Sequence, residues 1–142
     1  MIKTNNIREE LSGITTVAIS GHIRPDGDCV GSCMGLYLYL KENFPQLKKI
    51  DVYLQEIPES YHIISGTEDI HHNCDSDETY DLFIALDCGD LGRLGESAKY
   101  FQTASRTLCY DHHVSNKGFA DTDYVDPAIS STSELIYHVM DP

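Results

Sequence analysis

Three short polar runs carry the side chains of this sequence that could do chemistry: Gly21-His22-Ile23-Arg24-Pro25-Asp26-Gly27-Asp28, Asp87-Cys88-Gly89-Asp90 and Asp111-His112-His113. Each follows a short β-rich or apolar run. Together they offer His22, Asp26, Asp28, Asp87 and His112, a mixture of imidazole and carboxylate that suits Mn²⁺, Fe²⁺, Co²⁺ or Zn²⁺. Asp26 and Asp28 flank a glycine, so their side chains can diverge toward two ions. Asp87, at the end of an apolar strand, could bridge them. A pair of ions so placed can activate a water between them and stabilise the charge of an in-line attack on phosphorus.

Each piece also has a structural reading. Asp26 could be a helix cap or a turn residue, His22 a satisfied core histidine, and Asp90 a turn residue. Asp111 could orient a neighbouring imidazole, a role that still presupposes a site. All of these readings must hold at once to remove the site. A phosphate-binding loop is excluded, because no GxxxxGK followed by Ser or Thr occurs, and a GxGxxG fingerprint is also missing. Cys88 beside Asp87 is a poor nucleophile, since burial among carboxylates raises a thiol's pKa. Cys29 and Cys33 lack a second Cys/His pair at zinc-finger spacing and read as small buried side chains. His71-His72 falls among Asp75, Asp77 and Glu78 and reads as a solvated loop.

The elements that must position these residues follow from the hydrophobic pattern. Residues 3–12 predict a helix ended by Gly13, and Thr15–Ser20 a first strand. Gly21–Asp28 is a loop, Cys29–Asn43 a helix stopped before Pro45, and Ile50–Gln55 a second strand. Leu82–Leu86 is apolar throughout, as a strand covered on both faces should be. Residues 95–104 predict a helix, Arg106–Tyr110 a fourth strand, Phe119–Val125 a fifth and Ser131–Met140 a closing helix, with Ser131 or Thr132 near its N-cap. Strands alternating with helices imply an α/β fold, a three-layer sandwich around a mainly parallel central sheet of about five strands. Ligands in such sheets collect at the carboxyl ends of the strands. A parallel sheet would bring all three polar runs to one crevice there.

Composition narrows the partners. The 142 residues make one domain's length, and 10 Lys+Arg against 23 Asp+Glu give a formal net charge of −13. A duplex-binding surface needs clustered Lys and Arg, so duplex nucleic acid is disfavoured. No long apolar run points to a membrane, and five cysteines without a signal peptide fit a reduced cytoplasmic protein. The oligomeric state is open, a homodimer included.

The three motifs resemble those of the DHH phosphoesterase family. GHIRPDGDCVGS is similar to the family's first motif, ALDCGD to its second and DHHVSN to the triplet that names it. DPAISSTSELIY, residues 126–137, resembles the segment that follows the triplet. The likeness runs over nearly the whole chain. It implies that His22 and Asp26 hold a first metal ion, Asp28 and His112 a second, and that Asp87 bridges them, manganese being the usual ion. It further implies that His113 contacts the scissile phosphate and helps the leaving group, that Asp111 orients the adjacent site, and that a hydroxide bridging the metals attacks. Ser131 and Thr132 match the family's serine/threonine pair and are assigned only a helix-start role.

Within the family, PDGDxxGS resembles the branch acting on short oligoribonucleotides, adenosine 3′,5′-bisphosphate and linear products of cyclic dinucleotides. The inorganic pyrophosphatases of the family usually carry a different first motif and stand as the in-class alternative. A non-catalytic module that binds metal or nucleotide is the other. The resemblance also predicts a further aspartate ligand and a smaller substrate-binding domain. Residues 1–142 are therefore expected to be a catalytic domain cut short of that aspartate, at Asp141-Pro142.

Overall fold

The computed structural model describes residues 2–140. Its elements are, in chain order, α1 (Ile7–Glu10), β1 (Thr16–Ser20), α2 (Gly27–Asn43), β2 (Lys49–Tyr53), β3 (Leu82–Leu86), α3 (Ala98–Thr103), β4 (Arg106–Asp111), β5 (Thr122–Val125) and α4 (Thr132–Val139). Short 3₁₀ segments at Glu59–Ile63, Thr67–Asp69 and Leu91–Ser97 fill the longer connections. The five strands form one sheet in the order β2-β1-β3-β4-β5, and every pair is parallel. The α/β three-layer architecture is as the alternation implied.

The sheet separates two cores, and the strand sequences assign each side chain to one of them by alternation. Val17, Ile19, Leu82, Ile84, Leu86, Leu108 and Tyr110 meet α1, α2 and α4 on one face. Ala18, Phe83, Ala85 and Cys109 meet Leu94, Tyr100 and Phe101 on the other. That explains why LFIAL is apolar without interruption, all five residues being buried.

Several boundaries differ from the sequence pattern, each for a local reason. The helix expected over 3–12 is the single turn Ile7–Glu10, capped by the Asn6 side chain, since so short a helix lacks the length to propagate. α2 begins at Gly27, two residues before the expected start, because the Asp26 carboxylate accepts the Cys29 amide at 3.0 Å and caps it. The helix expected over 95–104 is broken at Gly95, whose φ of +62° interrupts it, and only Ala98–Thr103 is α-helical. The fifth strand loses Phe119, Ala120 and Asp121: the first two amides turn to Asp123 Oδ1 and the third to Thr107 Oγ1. Asp141 and Pro142, where the expected truncation falls, lie outside the described residues. Among the described residues no helix is long and apolar enough to cross a membrane.

Candidate metal centre

β1 leads outward on one side to β2 and on the other to β3, so the strand order reverses beside it. Such a switch point opens a crevice at the carboxyl ends of the strands. His22 follows β1 and Asp87 follows β3, one on each side of that crevice. Gly21 lets the chain leave β1 there, since a Cβ at this position would lie 2.8 Å from the Leu86 carbonyl oxygen and against Cys29 Sγ. Asp87 leaves β3 with a φ of +56°. That conformation costs a non-glycine residue roughly 1–2 kcal/mol, and Asp tolerates it better than most. The Asp87 amide still donates to Tyr110 O at 3.0 Å, so this carboxylate rides on the last rung of the ladder.

Asp87 is 2% exposed and its two oxygens face different histidines. Oδ2 lies 3.3 Å from His22 Nε2, which is also 3.5 Å from Asp26 Oδ1. Oδ1 lies 3.4 Å from His112 Nε2, which is also 3.4 Å from Asp28 Oδ2. These separations exceed the 2.7–2.9 Å typical of a charge-assisted hydrogen bond. Two ligands each ~2.1 Å from one ion and at roughly 90–110° to each other sit about 3.0–3.4 Å apart. The spacing thus fits two ion positions that share Asp87. The donor set of imidazole nitrogen and carboxylate oxygen fits divalent first-row ions on chemistry as well.

The rings of His22 and His113 are each fixed through Nδ1, which leaves Nε2 of each to the site. His22 Nδ1 lies 2.6 Å from the Ile23 carbonyl oxygen, which only accepts, so the proton sits on Nδ1 and Nε2 faces the carboxylates. His113 Nδ1 lies 2.6 Å from Asp111 Oδ1, while Asn116 Nδ2 donates to Asp111 Oδ2 at 2.9 Å. Asp111, fully buried, therefore fixes the ring of His113 and leaves its Nε2 for whatever enters. Cys29 Sγ comes within 4.8 Å of ligand atoms of His22 and Asp87. Its thiol is pushed well above the ordinary range by the Cys33 thiol and by burial, so it lines the site as a protonated group. Burial likewise pushes Cys88 up to about 12, which leaves it no nucleophilic role.

The electrostatics show a site short of positive charge. His22 is pushed up to about 9, chiefly by its contact with Asp87. Asp87 is itself pushed up, first by burial and then by the charges of Asp28 and Asp26, against the pull of His22. Both shifts have one sense: the pocket takes up positive charge more readily than its members would in water. Asp28 is the exception. Burial opposes its ionisation, but the amides of Ser133 at 2.9 Å and Thr132 at 3.0 Å, with the Ser133 hydroxyl at 2.7 Å, hold its carboxyl below the usual range.

All five residues proposed as ligands thus meet around Asp87, with His113 and Asp111 beside them. Asp26 combines the two roles weighed for it, capping α2 and facing His22. Thr132 does more than start a helix: Ser131 caps α4, while the Thr132 hydroxyl donates to Asp87 Oδ1 at 3.2 Å and its amide to Asp28. Sequence reasoning gave Ser133, Asn116 and Arg93 no role and read Cys29 only as a small buried side chain. Asn116 and Ser133 lie inside two of the motifs that did stand out. Arg93 has no such signal: it lines a cleft of about 240 Å³ with His22, Asp26, Asp87, Asp90 and His113. Asp90 caps the turn carrying it, accepting its amide at 3.1 Å. His71 belongs elsewhere, its Nε2 lying 3.3 Å from Asp51.

Comparison with known proteins gives one family. Residues 16–141 match the DHH family, N-terminal domain. The chain is 27% identical over 139 residues to the bifunctional oligoribonuclease and PAP phosphatase NrnA of Bacillus subtilis, covering 97% of this chain and 42% of that protein. It is 29% identical over 138 residues to a probable bifunctional oligoribonuclease and PAP phosphatase NrnA of Streptococcus mutans, covering 96% and 42%. An exopolyphosphatase-related protein of Bacteroides fragilis superposes with a TM-score of 0.82 at 27% identity, over 94% of this chain and 41% of that one. The chain therefore spans less than half the length of these relatives.

Proposed function

The chain belongs to the DHH family of phosphoesterases, and from that membership we propose that it is the catalytic domain of a metal-dependent hydrolase of short nucleotides. Its substrates on this reading are short oligonucleotides, linear dinucleotides or adenosine 3′,5′-bisphosphate, the classes named for the Bacillus subtilis relative being oligoribonucleotide and PAP. The observation that carries the reading is Asp87, buried, with one oxygen toward His22 and the other toward His112.

His22 and Asp26 would hold one divalent ion and Asp28 and His112 the other, with Asp87 shared. Two such ions, Mn²⁺ on the family resemblance, supply the positive charge that activates water and offsets the charge of in-line attack on phosphorus. The chain's own residues supply position. His113, which lines the cleft with its ring fixed by Asp111 through Nδ1, would as the imidazolium pass its Nε2 proton to the leaving oxygen. Arg93 carries the one guanidinium or ammonium among the described residues lining the cleft, so it would grip a phosphate oxygen. A short substrate agrees with the net charge of −13, since few phosphates need neutralising. A reduced, cytoplasmic setting belongs to the same reading and rests on five free thiols.

The test is Mn²⁺-dependent release of mononucleotide from a dinucleotide and of AMP from adenosine 3′,5′-bisphosphate, with inorganic pyrophosphate alongside. Turnover of pyrophosphate alone would reassign the substrate within the family. A second reading is that this chain binds metal and nucleotide without turning them over. Mn²⁺ binding with no turnover of any of the three would select it.

A further inference from the structure

A second cavity, of about 110 Å³, shares His22 with the metal cleft and lies on the opposite side of that imidazole's strand end, toward β2. The 3₁₀ turn Leu91–Ser97 divides the two: Arg93 faces the metal cleft, while Leu94 and Glu96 line the cavity. Its apolar walls are Ile23, Leu54 and Leu94. Its polar groups include the Asn73 amide and the Glu96 carboxylate, neither of which meets a hydrogen-bond or ion-pair partner among the described residues. No Lys or Arg lines it. A carboxylate without a neighbouring cation repels phosphate, so this cavity is unsuited to a second phosphoryl group. Apolar walls with one acceptor-only group and two side-chain amides, Asn73 and Gln55, suit a flat heterocycle that offers N–H donors beside ring acceptors.

We infer that this cavity takes the nucleobase next to the phosphate held at the metal centre, with Glu96 accepting from ring or exocyclic N–H and Asn73 pairing with an adjacent edge atom. Adenine, guanine and cytosine present such donors beside an acceptor. Inorganic pyrophosphate and polyphosphate present nothing the cavity could use. The inference deepens the phosphoester reading and rests on it: the base side of the crevice selects a nucleotide over an inorganic phosphate chain.

The experiment measures binding of AMP, GMP, CMP and ribose 5-phosphate to the Mn²⁺-loaded chain by calorimetry, with backbone amide shifts of Asn73 and Glu96 followed by NMR on the chain loaded with diamagnetic Mg²⁺. The expected result is that GMP, AMP and CMP bind about tenfold tighter than ribose 5-phosphate and move both signals, whereas ribose 5-phosphate moves neither. Glu96→Gln and Asn73→Ala, both at exposed positions that the fold does not depend on, are expected to remove that advantage and leave ribose 5-phosphate affinity unchanged. Equal binding of nucleotides and ribose 5-phosphate overturns the base site alone. So does an equal loss for all four ligands in the variants. Binding of none of the four, with Mn²⁺ bound, overturns the phosphoester reading and this inference with it.

Discussion

The two edges of the sheet both carry aspartates, and they use them in opposite ways. At the amino edge, Asp81 Oδ2 accepts from the Thr15 amide at 2.9 Å, the Thr15 hydroxyl at 3.0 Å and the Thr16 amide at 3.2 Å. Asp121 Oδ2 accepts the Thr107 amide at 2.9 Å, and buried Glu10 pairs with Arg106 and accepts from the Tyr124 hydroxyl. Strands begin there with free N–H groups, and the carboxylates satisfy them. At the carboxyl edge the strands end in carbonyls, which offer a carboxylate nothing. Asp87 receives one hydroxyl, from Thr132, and otherwise faces two imidazole nitrogens. Asp81, saturated with donors, is a structural part, whereas Asp87, buried with a single hydroxyl donor, is suited to a cation.

That contrast can be broken from either side. The largest effect is expected from Asp87→Asn, which keeps the shape and the tolerance of positive φ but removes the shared charge. Mn²⁺ affinity and turnover should fall by more than roughly a hundredfold, beyond the cost of losing an outer-shell partner. The same variant relieves a buried carboxylate, so its melting temperature in EDTA should equal or exceed that of the parent. A clear drop in that melting temperature would mean Asp87 is structural like Asp81.

Asp111→Asn comes next. It should lower turnover by about 10–100-fold, the usual cost of an outer-shell partner, with Mn²⁺ affinity nearly unchanged. Calorimetry and kinetics on the same sample separate the two quantities. At the amino edge, Glu10→Ala takes the carboxylate from Arg106 and the Tyr124 hydroxyl, Arg106 keeping only its bond to the backbone carbonyl of residue 10. It should cost about 1–3 kcal/mol in urea unfolding and leave metal titration alone. The smallest effect is Asp81→Asn. The Thr15 amide and hydroxyl, with the Thr16 amide, hold the Asp81 carboxyl below its ordinary value. Its contribution is complete above the unfolded value of about 3.9 and is lost as pH falls through the lower folded one. The variant should therefore flatten the acid limb of the stability curve, its small loss of stability being fully present at neutral pH and vanishing as pH falls through the folded value.

Much of this was legible in the sequence because periodicity and motif position are local. LFIAL announced a strand buried on both faces, and the polar run after each of β1, β3 and β4 announced which edge would hold the chemistry. What was not legible depends on contacts between distant residues. Nothing near Thr132 or Ser133 signals that their amides would meet Asp28, 104 and 105 residues earlier. Arg93 owes its place in the cleft to a turn whose shape is set by Asp90 and Gly95. The short α1 and the break at Gly95 reflect tertiary context overriding propensity.

The Asp28 clamp has a consequence for the order in which the molecule can acquire its function. One of the first motif's carboxylates is held by the N-terminus of the last helix, and the Ile2 amide by Asp126. A chain emerging from the ribosome displays GHIRPDGDCVGS early, yet Asp28 has no anchor until residues 132–133 follow. The second ion position can therefore take its final geometry only once synthesis has passed α4. An incomplete nascent chain, though rich in carboxylates, would lack the clamped carboxylate proposed to hold the second ion.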